Sequence, residues 1–188
     1  MADWTINADS NPRHGRTRSG GATPAIRYFQ ESTAVSTAVI KYGDIVSFDT
    51  VTSSASFRIR RAPAGGGTGA NLLLSNALVG VAVEASTSDG STTGLSNVNA
   101  RKIGVIVAEA PVEYVGYLSA GAGDSTLIGT QKAVRYDSTN HIYMVDSTNS
   151  TAALAFVTIT GLVEGAEGDT NAPVYFKFLS SNISPAVL

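Results

Sequence analysis

The residues best suited to chemistry are two histidines, His14 and His141, and several pairs of neighbouring carboxylates. A catalytic histidine has to be held rigidly between a nucleophile and an orienting group. His14 lies in a polar, glycine-rich segment and His141 lies between a turn and a short predicted strand, so neither is expected to be held in this way. Glu109 and Glu113 flank predicted strands, where charges keep sheet edges soluble. The pattern therefore predicts no catalytic residues and no enzyme, with a small hydrolase centred on His141 as the alternative.

Two acidic turns and a glycine run are the candidate sites for a metal ion or a phosphate. The sequence DSTN at residues 137–140 recurs at residues 146–149, on either side of a short predicted strand. Calcium needs at least about six converging oxygens, so a pair of turns is favoured and a calcium site is the alternative. The glycine run at 65–69 lacks the Lys-Ser/Thr ending of a phosphate loop. We predict no metal and no cofactor.

The overall composition excludes several classes of protein. The 188 residues include no cysteine, which excludes disulfide scaffolds, thiolate zinc sites and iron–sulfur clusters. The formal charge is −2 and 15% of the residues are charged, against about 25% in a typical globular domain, so bulk attraction to nucleic acid is not expected. The first residues are acidic where a leader peptide needs basic and apolar residues, and no apolar stretch is long enough to span a membrane. We therefore expect a soluble protein.

Residues 1–25 differ from the rest of the chain and are predicted to form a flexible, basic N-terminal arm. Four of the 13 basic residues fall within the first 27 positions, where the acids are Asp3 and Asp9. Such a polar segment cannot bury enough apolar surface to offset the entropy lost on ordering. The single tryptophan, Trp4, is an aromatic anchor of the kind that partners bind. The residues predicted to contact a partner are Trp4, Arg13, Arg16, Arg18, Ile26, Tyr28 and Phe29.

Residues 26–188 are predicted to form an all-β body, either a compact β-barrel or a β-sandwich with many short antiparallel strands. Apolar and polar residues alternate with period two, as in FRIR at 57–60, and turn-forming residues separate the alternating runs. Two related lobes, 26–110 and 111–188, are one possible division of this body. Strands are predicted within residues 34–41, 44–51, 57–60, 79–84, 103–107, 112–118, 132–137, 141–145, 156–163 and 174–179.

Two segments of the body are also predicted to contact partners through regular structure. The extended run AIRYFQ at 25–30 is expected to add a strand to the edge of a partner's sheet. The arginines at positions 58, 60 and 61 are expected to form ion pairs with acids of a neighbouring subunit, since no aromatic platform for nucleic acid lies beside them.

Three runs of this sequence resemble the capsid decoration, or cement, proteins of tailed bacteriophages. They are VIKYGDIV at 39–46, LVGVAV at 78–83 and KIGVIV at 102–107, and the resemblance covers residues 35–110. It implies a β-rich lobe on the outer capsid surface of the virion, an arm that orders on the shell, the major capsid protein as partner, and self-association into trimers. Neither nucleic acid nor a membrane is an expected partner. Residues 111–188 have no counterpart in the smallest members of the family. A tail-tube module, a fibre-head module and a carbohydrate-binding β-sandwich are the alternatives.

Overall fold

The described part of the chain is built almost entirely from β-strands. A computed structural model describes residues 11–17, 24–32, 40–49, 58–63, 77–85, 102–109, 112–149, 151 and 154–184. These residues contain eleven strands and short 3₁₀ turns, and no α-helix occurs among them. The predicted all-β class is therefore confirmed, with a closed barrel as one of its two sheets.

Five strands close into a barrel in the order β2-β4-β3-β5-β6. One neighbouring pair, β2 with β4, is parallel, and the others are antiparallel. Each strand therefore has a neighbour on both sides, although β2 meets β4 only at Gln30 and Glu31. The strands are β2 (Ile26–Glu31), β3 (Ile45–Phe48), β4 (Arg58–Arg61), β5 (Leu78–Ala82) and β6 (Lys102–Val107).

Six strands form a second, wholly antiparallel sheet in the order β1-β7-β11-β10-β8-β9. The sheet curls, because Leu118 at the end of one central strand forms a bridge to Val145 in the strand at the far edge. The strands are β1 (Arg13–Thr17), β7 (Val112–Tyr117), β8 (Gln131–Asp137), β9 (Ile142–Asp146), β10 (Val157–Leu162) and β11 (Pro173–Phe178).

The alternating pattern correctly predicts which residues are buried in β11 of the second sheet, but not in β5 of the barrel. In β11 the predicted inward residues Phe176 and Phe178 are buried while Tyr175 and Lys177 are half-buried between them. Strand β5 was predicted to be half-buried in the same way, but all five of its residues are buried. Side chains from both faces of β5 belong to the one hydrophobic core, and at its start Leu78 also pairs with Ile183 in the chain after β11.

A strand lies inside the segment that the sequence predicted to be a flexible arm. Arg13–Thr17 form β1, whose backbone pairs antiparallel with β7, so these five residues belong to the second sheet. Composition missed this strand because an edge strand is held by backbone hydrogen bonds and does not have to bury apolar side chains. The other predicted arm residues at 1–10 and 18–23, including Trp4 and Arg18, lie outside the described residues.

One hydrophobic core runs through both the barrel and the curled sheet. Tyr114 of β7 is fully buried, and its ring packs against Phe176 and Phe178 of the same sheet. Its hydroxyl lies 3.2 Å from the carbonyl oxygen of Ile106 and 3.1 Å from that of Val107, both in barrel strand β6. The hydroxyl therefore donates its proton across the junction between the two sheets, where an unpaired phenol would be costly.

Candidate partner-binding surface

An apolar patch lies on the outer face of the barrel, where β2 runs beside β6. Ile26 and Tyr28 project from this face, and Tyr28 stands opposite Gly104 in the strand register. A Cβ atom at Gly104 would lie 3.4 Å from both of these side chains and 3.1 Å from Val83. Three side chains therefore converge over a glycine. We call Ile26, Tyr28, Val83 and Gly104 the barrel patch.

Two of the apolar side chains in the barrel patch are exposed. Four large hydrophobic side chains are exposed in the described part of the chain, and two of them, Ile26 (47%) and Tyr28 (60%), lie side by side here. The other two, Tyr42 (60%) and Ile128 (47%), come from a turn of the barrel and a turn of the second sheet. Tyrosine is among the residues that contribute most to protein interfaces, so the patch is the best candidate for a contact surface in the described residues.

Charges of both signs surround the barrel patch. Lys102 is exposed at one end, where it pairs in register with Gln30. At the other end, Arg27, whose side chain alternates to the opposite face of β2, forms an exposed ion pair with Glu109, with 3.6 Å between nitrogen and oxygen. Beside Gly104, the carboxylate of Glu84 accepts a hydrogen bond from the glycine N–H at 3.2 Å. A rim of mixed charge suits a protein surface better than a polyanion.

The structure distributes the predicted contact residues over three environments. Ile26 and Tyr28 lie in the barrel patch. Phe29 points the other way: it is half-buried, packs on the core and contacts Phe48 edge-to-face at 5.7 Å between ring centroids. Arg13 is exposed on β1 of the second sheet, and the backbone of Arg16 lies in the same strand. Trp4 and Arg18 lie outside the described residues.

Two further predicted contacts involve β2 and β4. The run at 25–30 was expected to add a strand to a partner's sheet; β2 pairs with β6 from Ile26 to Gln30 but with β4 only at Gln30 and Glu31, and the added strand stays a prediction. The arginines of β4 were expected to meet acids of another subunit, which also stays a prediction. Within the chain, Arg60 lies 3.9 Å from a carboxylate oxygen of Asp49, and Arg61 donates a hydrogen bond to Tyr136 at 2.8 Å. Local sequence could not reveal these partners, because they are distant along the chain.

The candidate catalytic and metal-binding groups have structural partners. His141 adopts a left-handed backbone conformation with φ of 58°, and its Nδ1 lies 2.9 Å from the hydroxyl of Tyr136. The carboxylate of Asp137 accepts hydrogen bonds from the N–H groups of Thr139 and Asn140, and that of Asp146 accepts from Thr148. Burial raises the pKa of Asp137, but the hydrogen bonds outweigh burial and leave the pKa below its usual value. In the described residues, no three His, Cys, Asp or Glu side chains form a group suited to a metal ion.

A group of polar side chains that sequence reasoning missed lies where the barrel meets the second sheet. Asp44 and Arg61 come from the barrel, and Tyr136, His141 and Tyr143 come from β8, β9 and the turn between them. Arg61 lies over the ring of Tyr136, 4.5 Å from its centroid, while donating to the hydroxyl. The hydroxyl of Tyr143 donates to the carbonyl oxygen of Ala62 at 3.1 Å. We call these five side chains the junction cluster.

Asn11, which belongs to neither sheet, forms hydrogen bonds with the backbone of the junction cluster. Its side-chain oxygen accepts a hydrogen bond from the N–H of Tyr143 at 3.0 Å. Its side-chain nitrogen donates to the carbonyl oxygens of His141 at 3.3 Å and of Tyr42 at 3.4 Å. The close approach requires a glycine on the barrel side, because a Cβ atom at Gly43 would lie 2.5 Å from the Cβ of Asn11. One amide therefore connects a barrel turn to the second sheet.

Comparison with known proteins identifies no relative. No protein-family model, curated protein or solved structure matches this chain. In the described residues, no helix has the length and apolar character needed to cross a membrane. The fold defines the chain as an all-β protein with a closed five-stranded barrel joined to a curled antiparallel sheet. Its function therefore has to be inferred from its own residues.

Proposed function

We propose that this protein is a structural component of a virion. In this proposal it binds the outside of a phage capsid and stabilises the expanded shell by bridging subunits of the major capsid protein. It does so without catalysing a reaction. The observation that carries the proposal is the barrel patch, where exposed Ile26 and Tyr28 lie together over Gly104 within a rim of mixed charge. The resemblance of residues 39–46, 78–83 and 102–107 to capsid decoration proteins supplies the shell as the partner.

The energetics of the barrel patch fit a protein that binds as an oligomer. Covering a side chain that is about half exposed contributes on the order of 1 kcal/mol, so Ile26 and Tyr28 together give only weak attachment for one copy. Linking several such contacts in one assembly raises the overall affinity strongly without any new contact. The predicted self-association into trimers would supply that gain on a shell whose subunits are themselves repeated.

The test is a capsid-binding experiment with variants of the barrel patch. Ile26→Ser and Tyr28→Ser are combined in one variant, and Ile128→Ser is the matched control, because Ile128 is as exposed as Ile26 but lies in a turn of the second sheet. Co-sedimentation with expanded, undecorated capsids of the phage that encodes the protein measures the affinity. We expect at least a tenfold loss for the double variant and wild-type binding for the control. Equal binding by all three proteins would refute the proposed surface.

Testing the predicted arm requires a shorter deletion than its predicted boundaries, residues 1–25. Removing residues 1–24 would also remove Asn11 and strand β1, and so would damage the sheet as well as any contact with the shell. Removing residues 1–10 deletes Trp4 but keeps both. If the arm supplies shell affinity, this variant keeps the wild-type melting temperature and binds capsids more weakly. Unchanged binding would leave the barrel patch as the contact and remove Trp4 from the proposal.

A further inference from the structure

Asp44 is a buried carboxyl that the proposed function does not use. It precedes β3, and 1% of its surface is exposed. One oxygen, Oδ2, accepts a hydrogen bond from the backbone N–H of Lys41 at 2.8 Å. The other oxygen, Oδ1, has no hydrogen-bond partner among the described residues. A buried carboxylate with one unpaired oxygen is costly, whereas a proton on that oxygen removes the charge.

The charged and titratable groups around Asp44 come from four parts of the chain. Lys41 belongs to the same turn, Arg61 to β4, Tyr136 to β8 and Tyr143 to β9. Beyond Tyr136 stand His141, which contacts its hydroxyl, and Asp137, which also acts on it electrostatically. Burial, and after it the carboxyl of Asp44, raises the pKa of Tyr143, so this phenol stays neutral. Lys41 and Arg61 are therefore the cations available to a charged Asp44.

Arg61 is bonded to one member of the junction cluster and is attracted to another. It donates to the hydroxyl of Tyr136 at 2.8 Å and lies over its ring, which joins the barrel to the second sheet. Its charge also attracts the carboxyl of Asp44 without a hydrogen bond to it, since Oδ1 of Asp44 is unpaired and Oδ2 accepts from Lys41. A guanidinium pairs more strongly with a carboxylate than with a neutral phenol, so the charge on Asp44 decides which partner is preferred.

We propose that the junction cluster is a proton-controlled joint between the barrel and the second sheet. With a proton on Asp44, Arg61 bonds to Tyr136 and holds the two sheets together. When Asp44 loses the proton, Arg61 turns to the carboxylate and releases Tyr136. The bonds of Tyr143 to Ala62 and of Asn11 to Tyr143 remain, because neither involves Asp44, so the joint loosens without separating.

We expect the joint to loosen as the pH rises through neutrality. Burial raises the pKa of Asp44 from 3.8 to about 7, and the hydrogen bond from Lys41 and the charges of Arg61 and Lys41 oppose the rise only in part. Between these two values the folded protein holds a proton that the unfolded chain has lost. The resulting stabilisation is complete below pH 3.8 and is lost as the pH rises through 7.

A carbon-13 NMR titration of the full chain between pH 4 and pH 9 tests the joint. The Cγ resonance of Asp44 reports its proton, and the Cζ resonance of Tyr136 reports its bond to Arg61. The titration is run in a His141→Asn background, because the imidazole also touches Tyr136 and asparagine tolerates the left-handed backbone at this position. We expect both resonances to move with one midpoint near 7. A midpoint near 4 for Asp44, or a Tyr136 resonance that does not follow it, overturns the proposal.

Substitution of Asp44 provides a second test with a matched control. Asp44→Asn imitates the protonated carboxyl, so its urea midpoint should change less between pH 5 and pH 8 than that of the wild type. Asp124→Asn makes the same change at an exposed carboxyl and should keep the wild-type dependence on pH. If Asp44→Asn and the wild type lose the same stability between pH 5 and pH 8, the joint is refuted. If Asp44→Asn does not fold, the NMR titration of the His141→Asn protein decides the matter alone.

Discussion

The substitution Asn11→Ala tests whether the N-terminal segment is an integral part of the folded protein. The sequence predicted a flexible arm over residues 1–25, whereas the structure buries Asn11 to 6% exposure between a barrel turn and β9. Alanine keeps the backbone and removes the amide that bonds to Tyr42, His141 and Tyr143. One of those bonds joins the N-terminal segment to a barrel turn, and the other two join it to the beginning of β9 and the turn before it.

The magnitude follows from the three bonds that are lost. The N–H of Tyr143 has Asn11 as its partner at 3.0 Å and lies in a buried strand, so losing the acceptor leaves a buried donor unpaired at a cost of about 1–3 kcal/mol. The two bonds at 3.3 and 3.4 Å are long and contribute roughly 0.5 kcal/mol each. We expect Asn11→Ala to lower the free energy of unfolding by about 2–4 kcal/mol.

Urea unfolding followed by circular dichroism measures this change. Asn140→Ala is the control, because Asn140 makes its hydrogen bonds in an exposed turn, and we expect it to cost less than about 1 kcal/mol. The m-value should stay constant if only stability changes. An Asn11→Ala protein within about 0.5 kcal/mol of the wild type would mean that residues 11–17 do not depend on this bond, and the original prediction of an arm would regain its support.

Three further predictions concern the core, the turns and the barrel wall. Phe176→Ala removes a fully buried ring that contacts Tyr114 and should cost about 3–5 kcal/mol in urea unfolding; a cost below 1 kcal/mol would contradict the core assignment. Excess EDTA should leave the melting temperature unchanged, because turn donors occupy the carboxylates of Asp137 and Asp146; a clear fall would reveal a calcium site. Gly80→Ala should prevent soluble expression, because its Cβ would lie 2.0 Å from a carbonyl oxygen of β6; a stable variant would mean that β5 and β6 do not approach so closely.

The fold class could be predicted because it depends on local pattern. Period-two alternation identifies a strand wherever one face meets a core, and the runs at 112–118, 132–137 and 174–179 correspond closely to β7, β8 and β11. The same pattern failed to predict the burial of both faces of β5, because nothing in residues 78–82 says that distant parts of the chain pack on both of them. It also missed β1, because this strand forms by pairing with β7, about a hundred positions further along the chain.

The candidate surface was predictable only in part. Ile26 and Tyr28 stood out as apolar residues near a basic segment, but their grouping over Gly104 and Val83 requires three strands to pair in the register that the barrel imposes. Phe29, their immediate neighbour, looked equivalent in sequence and lies on the opposite side of the same strand. The register of β2 was equally hidden in the sequence: it pairs with β6 from Ile26 to Gln30 and with β4 only at Gln30 and Glu31.

The sequence by itself determined that this protein is all-β, because side-chain alternation and turn residues act over a few positions. Tertiary structure alone decided which polar groups meet. Asp44 and Arg61 are 17 positions apart, and Tyr136 lies 75 positions beyond Arg61. Taken separately, each looks like an ordinary polar residue at the end of a strand. Burial gives Asp44 its raised pKa, and burial arises only when the barrel and the curled sheet close on one another and exclude water from the carboxyl.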